Sequence, residues 1–125
     1  MPASFLAIDP ESGTPPFEQL RSQVIAAVRS GELAHDARLP TVRALAAELG
    51  LATNTVARAY RELERDSVIE TRGRFGSFIA PNGDAADRNA QAAADAFALR
   101  IEQLGVSPVA ALALVTDALD RRFDA

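Results

Sequence analysis

The sequence predicts a mostly α-helical fold with one small β-hairpin, followed by two C-terminal helices. Three observations predict it. Apolar residues recur at helical spacing through most of the chain, two short β-branched segments flank a glycine-containing turn, and 125 residues fit one compact domain with a short appendage. Hydrophobic residues make up 48% of the chain and charged residues 24%, a composition typical of a folded globular protein.

The first predicted helix follows an extended lead-in, residues 8–16, that is punctuated by prolines. Proline is preorganised for the first turn of a helix, so the helix is expected to begin at the end of this segment. Ser30 and Gly31 end its apolar pattern, and a loop over residues 32–38 follows. The predicted core face of this helix consists of Phe17, Leu20, Val24, Ala27 and Val28.

Two further helices separated by a short turn form the sharpest pattern in the chain. Thr41 is expected to cap the first of them and Gly50 to end it. The next helix opens at Ala52 or Thr53. Two helices joined in this way are typical of a helix-turn-helix, whose second helix enters the major groove of DNA. The inward residues of this second helix are predicted to be Val56, Ala59, Tyr60 and Leu63.

A short hairpin is predicted after the helix-turn-helix. Residues 68–71 and 77–80 are β-branched or aromatic, and they flank the turn Arg72-Gly73-Arg74-Phe75-Gly76. A hairpin in this place would be a wing. We therefore expect residues 1–80 to form a winged helix-turn-helix DNA-binding domain with its extended lead-in.

Residues 81–125 are predicted to form two helices that act as a dimerisation region. The first runs from about Ala85 to Leu104, and the second is capped by Ser107 with Pro108 at its first position. Together they carry more apolar surface than a small winged domain can cover, which favours a homodimer. Packing of both helices back onto their own domain stays open as the alternative. The residues expected at the dimer interface are Phe97, Ile101, Leu112, Val115 and Leu119.

The distribution of charge along the chain bears on whether the protein can bind nucleic acid. A net charge of −4 counts against a nucleic-acid partner if the chain is taken as a whole. However, residues 1–80 hold nine Arg and ten acidic residues, whereas residues 81–125 hold four Arg and seven acidic residues. The acidic excess therefore lies mostly in the tail, and the winged part is nearly neutral.

Metal, redox, enzymatic and membrane functions find little support in the sequence. There is no Cys, and His35 is the single His, which argues against thiolate or histidine metal sites. The acidic residues lack a nucleophile or a glycine-rich loop beside them, so no enzyme and no cofactor are expected. The longest apolar run, residues 108–115, is much shorter than the roughly 20 residues of a membrane span. The protein is therefore expected in the cytoplasm.

One face of the second helix of the motif carries residues that can read DNA. Asn54, Arg58, Arg61 and Arg65 lie on the side opposite the predicted core residues. Arg can donate two hydrogen bonds to guanine and Asn can pair with adenine, each worth roughly 1–3 kcal/mol of discrimination. The alternative is a solvated helix face on which Arg58 pairs with Glu62, four residues further on.

The segments Arg38-Leu-Pro-Thr-Val-Arg43 and Asn54-Thr55-Val-Ala-Arg58-Ala-Tyr60 closely resemble the GntR family of bacterial regulators. The short two-helix tail is similar to that of its small YtrA-like subfamily. The resemblance implies that Arg43 reaches a base and that Thr53, Asn54, Thr55 and Ala57 occupy recognition-helix contact positions. Relatives often have Arg or Pro in place of Thr53 and Arg in place of Ala57, which indicates thinner direct readout here.

The wing also departs from the pattern of the family. Relatives often read Arg-Arg-Gly-Arg-Gly before a hydroxyl residue, whereas this chain shifts the first Gly and inserts Phe75. Gly76 matches the pattern, and Arg74 is expected in the minor groove or on a phosphate. The complete set of predicted DNA-binding residues is Arg43, Thr53, Asn54, Thr55, Arg58, Arg61, Arg72, Arg74 and Gly76.

The function predicted is that of a sequence-specific transcription regulator, a repressor that binds a palindromic operator in double-stranded DNA as a homodimer. The resemblance implies autoregulation and control of a neighbouring transport operon, and it leaves a small-molecule effector open. The alternative is a winged-helix module for protein interaction or assembly, without sequence-specific DNA binding. The acidic balance and the residues Thr53 and Ala57 favour that alternative.

Overall fold

Helices and one two-stranded antiparallel sheet build the fold over residues 6–123, the part of the chain that the computed structural model describes. The predicted fold class, a winged helix-turn-helix followed by two helices, is confirmed. The chain divides into two compact units, residues 6–87 and residues 88–123. The elements in chain order are α1 (Pro16–Ser30), α2 (Val42–Leu49), α3 (Thr53–Arg65), β1 (Ile69–Thr71), β2 (Ser77–Ile79), α4 (Asp84–Gln103) and α5 (Pro108–Phe123).

The helix ends lie where the local sequence predicts them. Pro16 opens α1, and Gly31 closes it with a φ of +84° while its N–H donates to the carbonyl of Val28. The hydroxyl of Thr41 accepts the backbone N–H of Ala44 at 3.1 Å and caps α2. Gly50, with a φ of +68°, ends α2, and α3 begins three residues later.

The core of the first unit lies where α1, α2 and α3 meet the sheet. Among its fully buried side chains are Leu20, Leu45, Val56, Leu63 and Ile79. The four inward residues predicted for α3 are all buried. One of them, Tyr60, donates its hydroxyl to the carbonyl of Pro40 at 2.7 Å, and burial raises the pKa of this phenol. This bond ties α3 to the segment that leads into α2.

The wing contains an additional extended segment at a place where the sequence predicts only a loop. In the hairpin itself, β1 pairs antiparallel with β2 in the register Ile69↔Ile79 and Thr71↔Ser77. Residues 37–39 then run along the other edge of β2, where the N–H of Leu39 donates to the carbonyl of Ser77 at 2.9 Å. Two more backbone bonds join Ile79 to Ala37 and to Asp36, which lies in the preceding turn with a φ of +67°. Three residues are too few to show a strand alternation in the sequence, and their pairing partner lies about 40 residues away.

The lead-in lies along α1 because two side-chain amides hold it. Gln23 accepts the N–H of Ala7 and donates to its carbonyl, at 2.9 and 2.8 Å. One turn earlier, Gln19 makes the same pair of bonds with Asp9 and also donates to the carbonyl of Thr14. The two glutamines, at positions i and i+4, lie on the same face of α1. Their amides bind the backbone of the lead-in as the backbone of a neighbouring β-strand would.

The second unit consists of most of α4 and of α5, and it is open to solvent. The hydroxyl of Ser107 accepts the N–H of Ala110, as its predicted capping role requires. Ala111 is the buried residue of α5. An open groove of about 720 Å³ lies against both helices, with a lining that includes Phe97, Ile101 and Leu112. Within residues 6–123, no helix combines the length and the apolar character that crossing a membrane requires.

Candidate nucleic-acid interface

The exposed side of α3 presents the residues predicted to read DNA. Thr53, Asn54, Arg58 and Arg61 are exposed, and Thr55 is half-buried, while the opposite face packs into the core. Ala52 precedes the helix without a side-chain cap, and the N–H of Thr55 donates to its carbonyl at 3.0 Å. The N–H groups of Thr53 and Asn54 are the ones at this helix start that an external acceptor can reach. Such a helix start suits a phosphate oxygen.

Arg43 lies in the first turn of α2, on the exposed side of that helix. Helix α2 packs directly against α3, and its buried residues Leu45 and Ala46 face the core. The cap at Thr41 fixes where the helix starts, and it thereby fixes the direction in which Arg43 leaves the backbone. The first turns of both helices of the motif therefore carry exposed polar side chains.

Ion pairs divide the nine arginines of residues 1–80 into two groups. One group lies within 4.0 Å of a carboxylate, and its members are Arg21, Arg29, Arg58, Arg65 and Arg72. The other group is exposed and has no carboxylate partner among residues 6–123, and its members are Arg38, Arg43, Arg61 and Arg74. The second group lies on α2, on α3 and on the wing. Within residues 6–80, the arginines without a carboxylate partner therefore all lie on the helix-turn-helix and the wing. Arg88 and Arg100 on α4 are likewise exposed and outside the ion pairs of residues 6–123.

Arg58 belongs to the first group. Its Nε donates to Oε2 of Glu62 at 3.2 Å, and its guanidinium carbon lies 3.7 Å from the centroid of the Phe17 ring. The pairing with Glu62 is the alternative that the sequence left open. A helix pair at this spacing is worth about 0.3–0.5 kcal/mol, and an exposed contact between a guanidinium and an aromatic ring about 0.5–1 kcal/mol. A phosphate that draws Arg58 away must offset both. Contact of Arg58 with DNA stays a prediction.

Arg72 is held more firmly than Arg58. It donates to Oδ1 of Asp36 and, at 2.7 Å, to Oε1 of Glu70, and its guanidinium carbon lies 4.4 Å from the centroid of the Phe78 ring. The hydrogen bonds with Asp36 and then Glu70 raise the pKa of Arg72. The structure therefore shows Arg72 joining residue 36 to the hairpin. Its contact with DNA stays a prediction.

The turn of the wing carries Arg74 and Gly76. A single 3₁₀ turn, Gly73–Phe75, leaves the Arg74 side chain exposed beside the Phe75 ring. Gly76 has a φ of +102°, which side chains other than glycine rarely adopt, and its carbonyl accepts the N–H of Arg72 at 2.8 Å. Gly76 is thus required by the turn, whether or not it also approaches DNA.

Arg38 is a further candidate, outside the set of DNA-binding residues predicted from the sequence. It lies in the extended segment beside β2, in an antiparallel bridge with Phe78. The neighbouring Ala37 is half-buried and Leu39 is buried, whereas Arg38 is exposed. The alternation of these three residues could have indicated an outward-facing arginine, had the segment been recognised as extended.

Comparison with known proteins agrees with this geometry. Residues 16–79 match the family model described as bacterial regulatory proteins, gntR family. An HTH-type transcriptional regulator of Mycobacterium tuberculosis is 48% identical over 116 residues, which are 93% of this chain and 95% of that protein. The HTH-type transcriptional repressor YtrA of Bacillus subtilis is 44% identical over 78 residues, which are 62% of this chain and 59% of that protein.

A solved structure extends the likeness to three dimensions. YtrA from Sulfolobus acidocaldarius, a GntR-family transcription factor, superposes with a TM-score of 0.60 at 31% identity. The superposition covers 74% of this chain and 98% of that one. These relatives are transcription regulators and not enzymes. Family match, identity and fold agree with the resemblance to YtrA-like regulators, and the chain belongs to the gntR family of bacterial regulatory proteins.

Proposed function

We propose that this protein is a repressor that binds a palindromic operator as a homodimer. The carrying observation is that the four exposed arginines of residues 6–80 without a carboxylate partner among residues 6–123 all lie on α2, on α3 and on the wing or its edge. Phosphate binding rests mainly on such uncompensated cations. A net acidic protein can bind DNA when the elements that meet the duplex carry arginines without carboxylate partners.

The roles of the individual side chains follow from their positions. Arg43 and Asn54 leave the first turns of the two motif helices, so we assign them to base readout. Thr53, Thr55, Arg58 and Arg61 continue that face along α3 and hold the helix on the backbone of the duplex.

The wing adds contacts beside the recognition helix. Arg74 is assigned to the minor groove or to a phosphate, and Gly76 to the close approach of the backbone. Arg72 takes part only if DNA draws it away from Asp36 and Glu70. Residues 1–80 would thus form the DNA-binding domain.

Residues 81–125 would supply the dimer contact. Phe97, Leu112 and Leu119 are exposed, by 39%, 66% and 50%, and Ile101 and Val115 line the groove beside them. So many exposed leucines and phenylalanines are typical of an interaction surface. In a twofold dimer, this patch on one protomer packs against the same patch on the other. Two recognition helices would then face two half-sites of a palindrome.

Repression is proposed because one relative carries the name of a transcriptional repressor. A dimer seated on a promoter can act simply by excluding the polymerase from it. In a bacterial cell this places the protein in the cytoplasm, with the chromosome. A small-molecule effector would fit the groove against α4 and α5, which has a volume of about 720 Å³.

The test starts from a pool of random duplexes from which the protein selects its own binding sequence. Fluorescence anisotropy then compares the selected duplex with a scrambled one at near-physiological salt. We expect specific binding by two protomers per duplex. We also expect Arg43→Ala to weaken binding to the selected duplex by about 1–3 kcal/mol, or roughly 5- to 150-fold in affinity, and to leave binding to the scrambled duplex unchanged. Failure to enrich any sequence would favour the protein-interaction module.

A further inference from the structure

We propose that Arg38 is a phosphate-contacting residue of the wing, placed there by the extended segment that runs along β2. The inference rests on the proposed function, because it adds a contact to the same DNA surface. Arg38 lies outside both helices of the helix-turn-helix, so a contact to the sugar-phosphate backbone suits it better than one to a base.

The backbone fixes the side from which Arg38 leaves the sheet. The N–H of Leu39 donates to the carbonyl of Ser77 and the N–H of Ile79 donates to the carbonyl of Ala37, which sets residues 37–39 antiparallel to β2. Side chains alternate along an extended segment, and Leu39 is buried in the core. Arg38 therefore lies on the outer face of the wing, across from Phe78.

Gly76 leaves the Arg38 guanidinium uncovered. A β-carbon built on Gly76 would lie 3.6 Å from Nε and 3.7 Å from one terminal nitrogen of Arg38. The guanidinium thus passes over the glycine at the turn of the wing. A larger side chain there would cover it, and the positive φ of Gly76 disfavours one. Arg38 and Arg74 consequently place two cations at the same end of the hairpin.

Arg72 keeps the acidic residues of the wing away from Arg38. Asp36 and Glu70 both accept hydrogen bonds from Arg72, whose guanidinium lies over the Phe78 ring. Asp36 is two residues from Arg38, and Glu70 pairs with Phe78 in the sheet. Arg38 is the arginine nearest to Asp36 in sequence, but the carboxylate of Asp36 pairs with Arg72 instead. Arg72 is in this sense a positioning residue that leaves the Arg38 charge free.

The test measures the salt dependence of DNA binding for the full chain, on the selected duplex and on a scrambled duplex. Each phosphate contact contributes a slope of about −0.9 to log affinity against log salt. Arg38→Ala should reduce the magnitude of the slope by about 0.9 on both duplexes. If the variant and the wild type have equal affinity at 1 M salt, this difference in slope makes the affinity of the variant about eightfold lower at 0.1 M salt. Arg38→Lys should keep most of the slope.

Arg29→Ala is the matched control. It removes the same charge from an exposed side chain of the first unit, where Arg29 pairs with Asp87 at the end of α1. We expect it to leave the slope unchanged. A wild-type slope for Arg38→Ala, or a loss confined to the selected duplex, would overturn the proposal while the operator-binding function stands. A wild-type protein that binds neither duplex would overturn the function and this inference together.

Discussion

The two units of this chain use apolar residues in opposite ways. In residues 6–87, Leu20, Val56 and Leu63 are fully buried, and Phe75 on the wing is the one large apolar side chain described as exposed. In residues 88–123 the exposed ones are Phe97, Leu99, Leu104, Val109, Leu112, Leu114, Leu119 and Phe123, and the buried apolar residue is Ala111. The first unit therefore closes its own core, whereas the second has apolar surface left for a partner.

This difference supports the proposed division of functions between the two units. A unit with a closed core can hold side chains in fixed directions, as reading a groove requires. A unit with an open apolar face gains stability only when something covers that face. We therefore assign DNA reading to the first unit and association to the second, and the following changes test that assignment.

The largest effect is expected inside the closed core. Leu63→Ala removes a fully buried side chain of α3 and should lower the free energy of unfolding by about 2–5 kcal/mol. Urea unfolding followed by circular dichroism measures the change. Phe75→Ala is the control, because the ring of Phe75 is 62% exposed. The free energy of unfolding of this variant should lie within about 0.5 kcal/mol of the wild-type value. Equal effects of the two changes would mean that the core is not closed as described.

The next effect concerns the open unit. Leu112→Glu places a charge in the groove against α4 and α5 and should raise the dissociation constant of the homodimer at least a hundredfold, about 2.7 kcal/mol. Sedimentation equilibrium would then show a monomer where the wild type is a dimer. Ala92→Glu adds the same charge on the side of α4 away from Phe97 and should leave the dimer intact. A wild-type monomer would refute the assignment of the second unit.

The smallest effect concerns the wing. Arg72→Ala frees Asp36 and Glu70, which should then compete with phosphate for Arg38. Exposed ion pairs are worth about 0.2–1 kcal/mol, so DNA affinity should fall up to about fivefold. Adding Asp36→Asn and Glu70→Gln to this variant should restore the affinity. If the loss persists in the triple variant, Arg72 itself contacts DNA.

The sequence predicts what short-range chemistry determines. Pro16, Thr41 and Gly50 mark helix ends through effects that span one turn, and all three lie where expected. The pairing of Arg58 with Glu62 is equally local and was foreseen as an alternative. In contrast, the bond from Arg72 to Asp36 joins residues 36 positions apart, and the extended segment beside β2 depends on a partner just as distant.

This limit also explains why Arg38 was missed. Its motif was recognised from the sequence, but its place beside Gly76 results from tertiary pairing alone. The same holds for the distinction between paired and unpaired arginines, since a count of charges cannot say which carboxylate each one meets. The sequence therefore predicts which helices and which hairpin form the candidate DNA surface. It predicts only some of the residues that lie on that surface.

The most direct test of the central claim is a hydroxyl-radical footprint of the protein on its selected duplex. Two recognition helices held by a dimer should protect two patches on one side of the DNA, separated by about one helical turn, 10–10.5 base pairs, or a multiple of it. The two patches should be related by the twofold axis of the selected sequence. A single protected patch, or uniform protection without a repeated half-site, would contradict an operator-binding dimer.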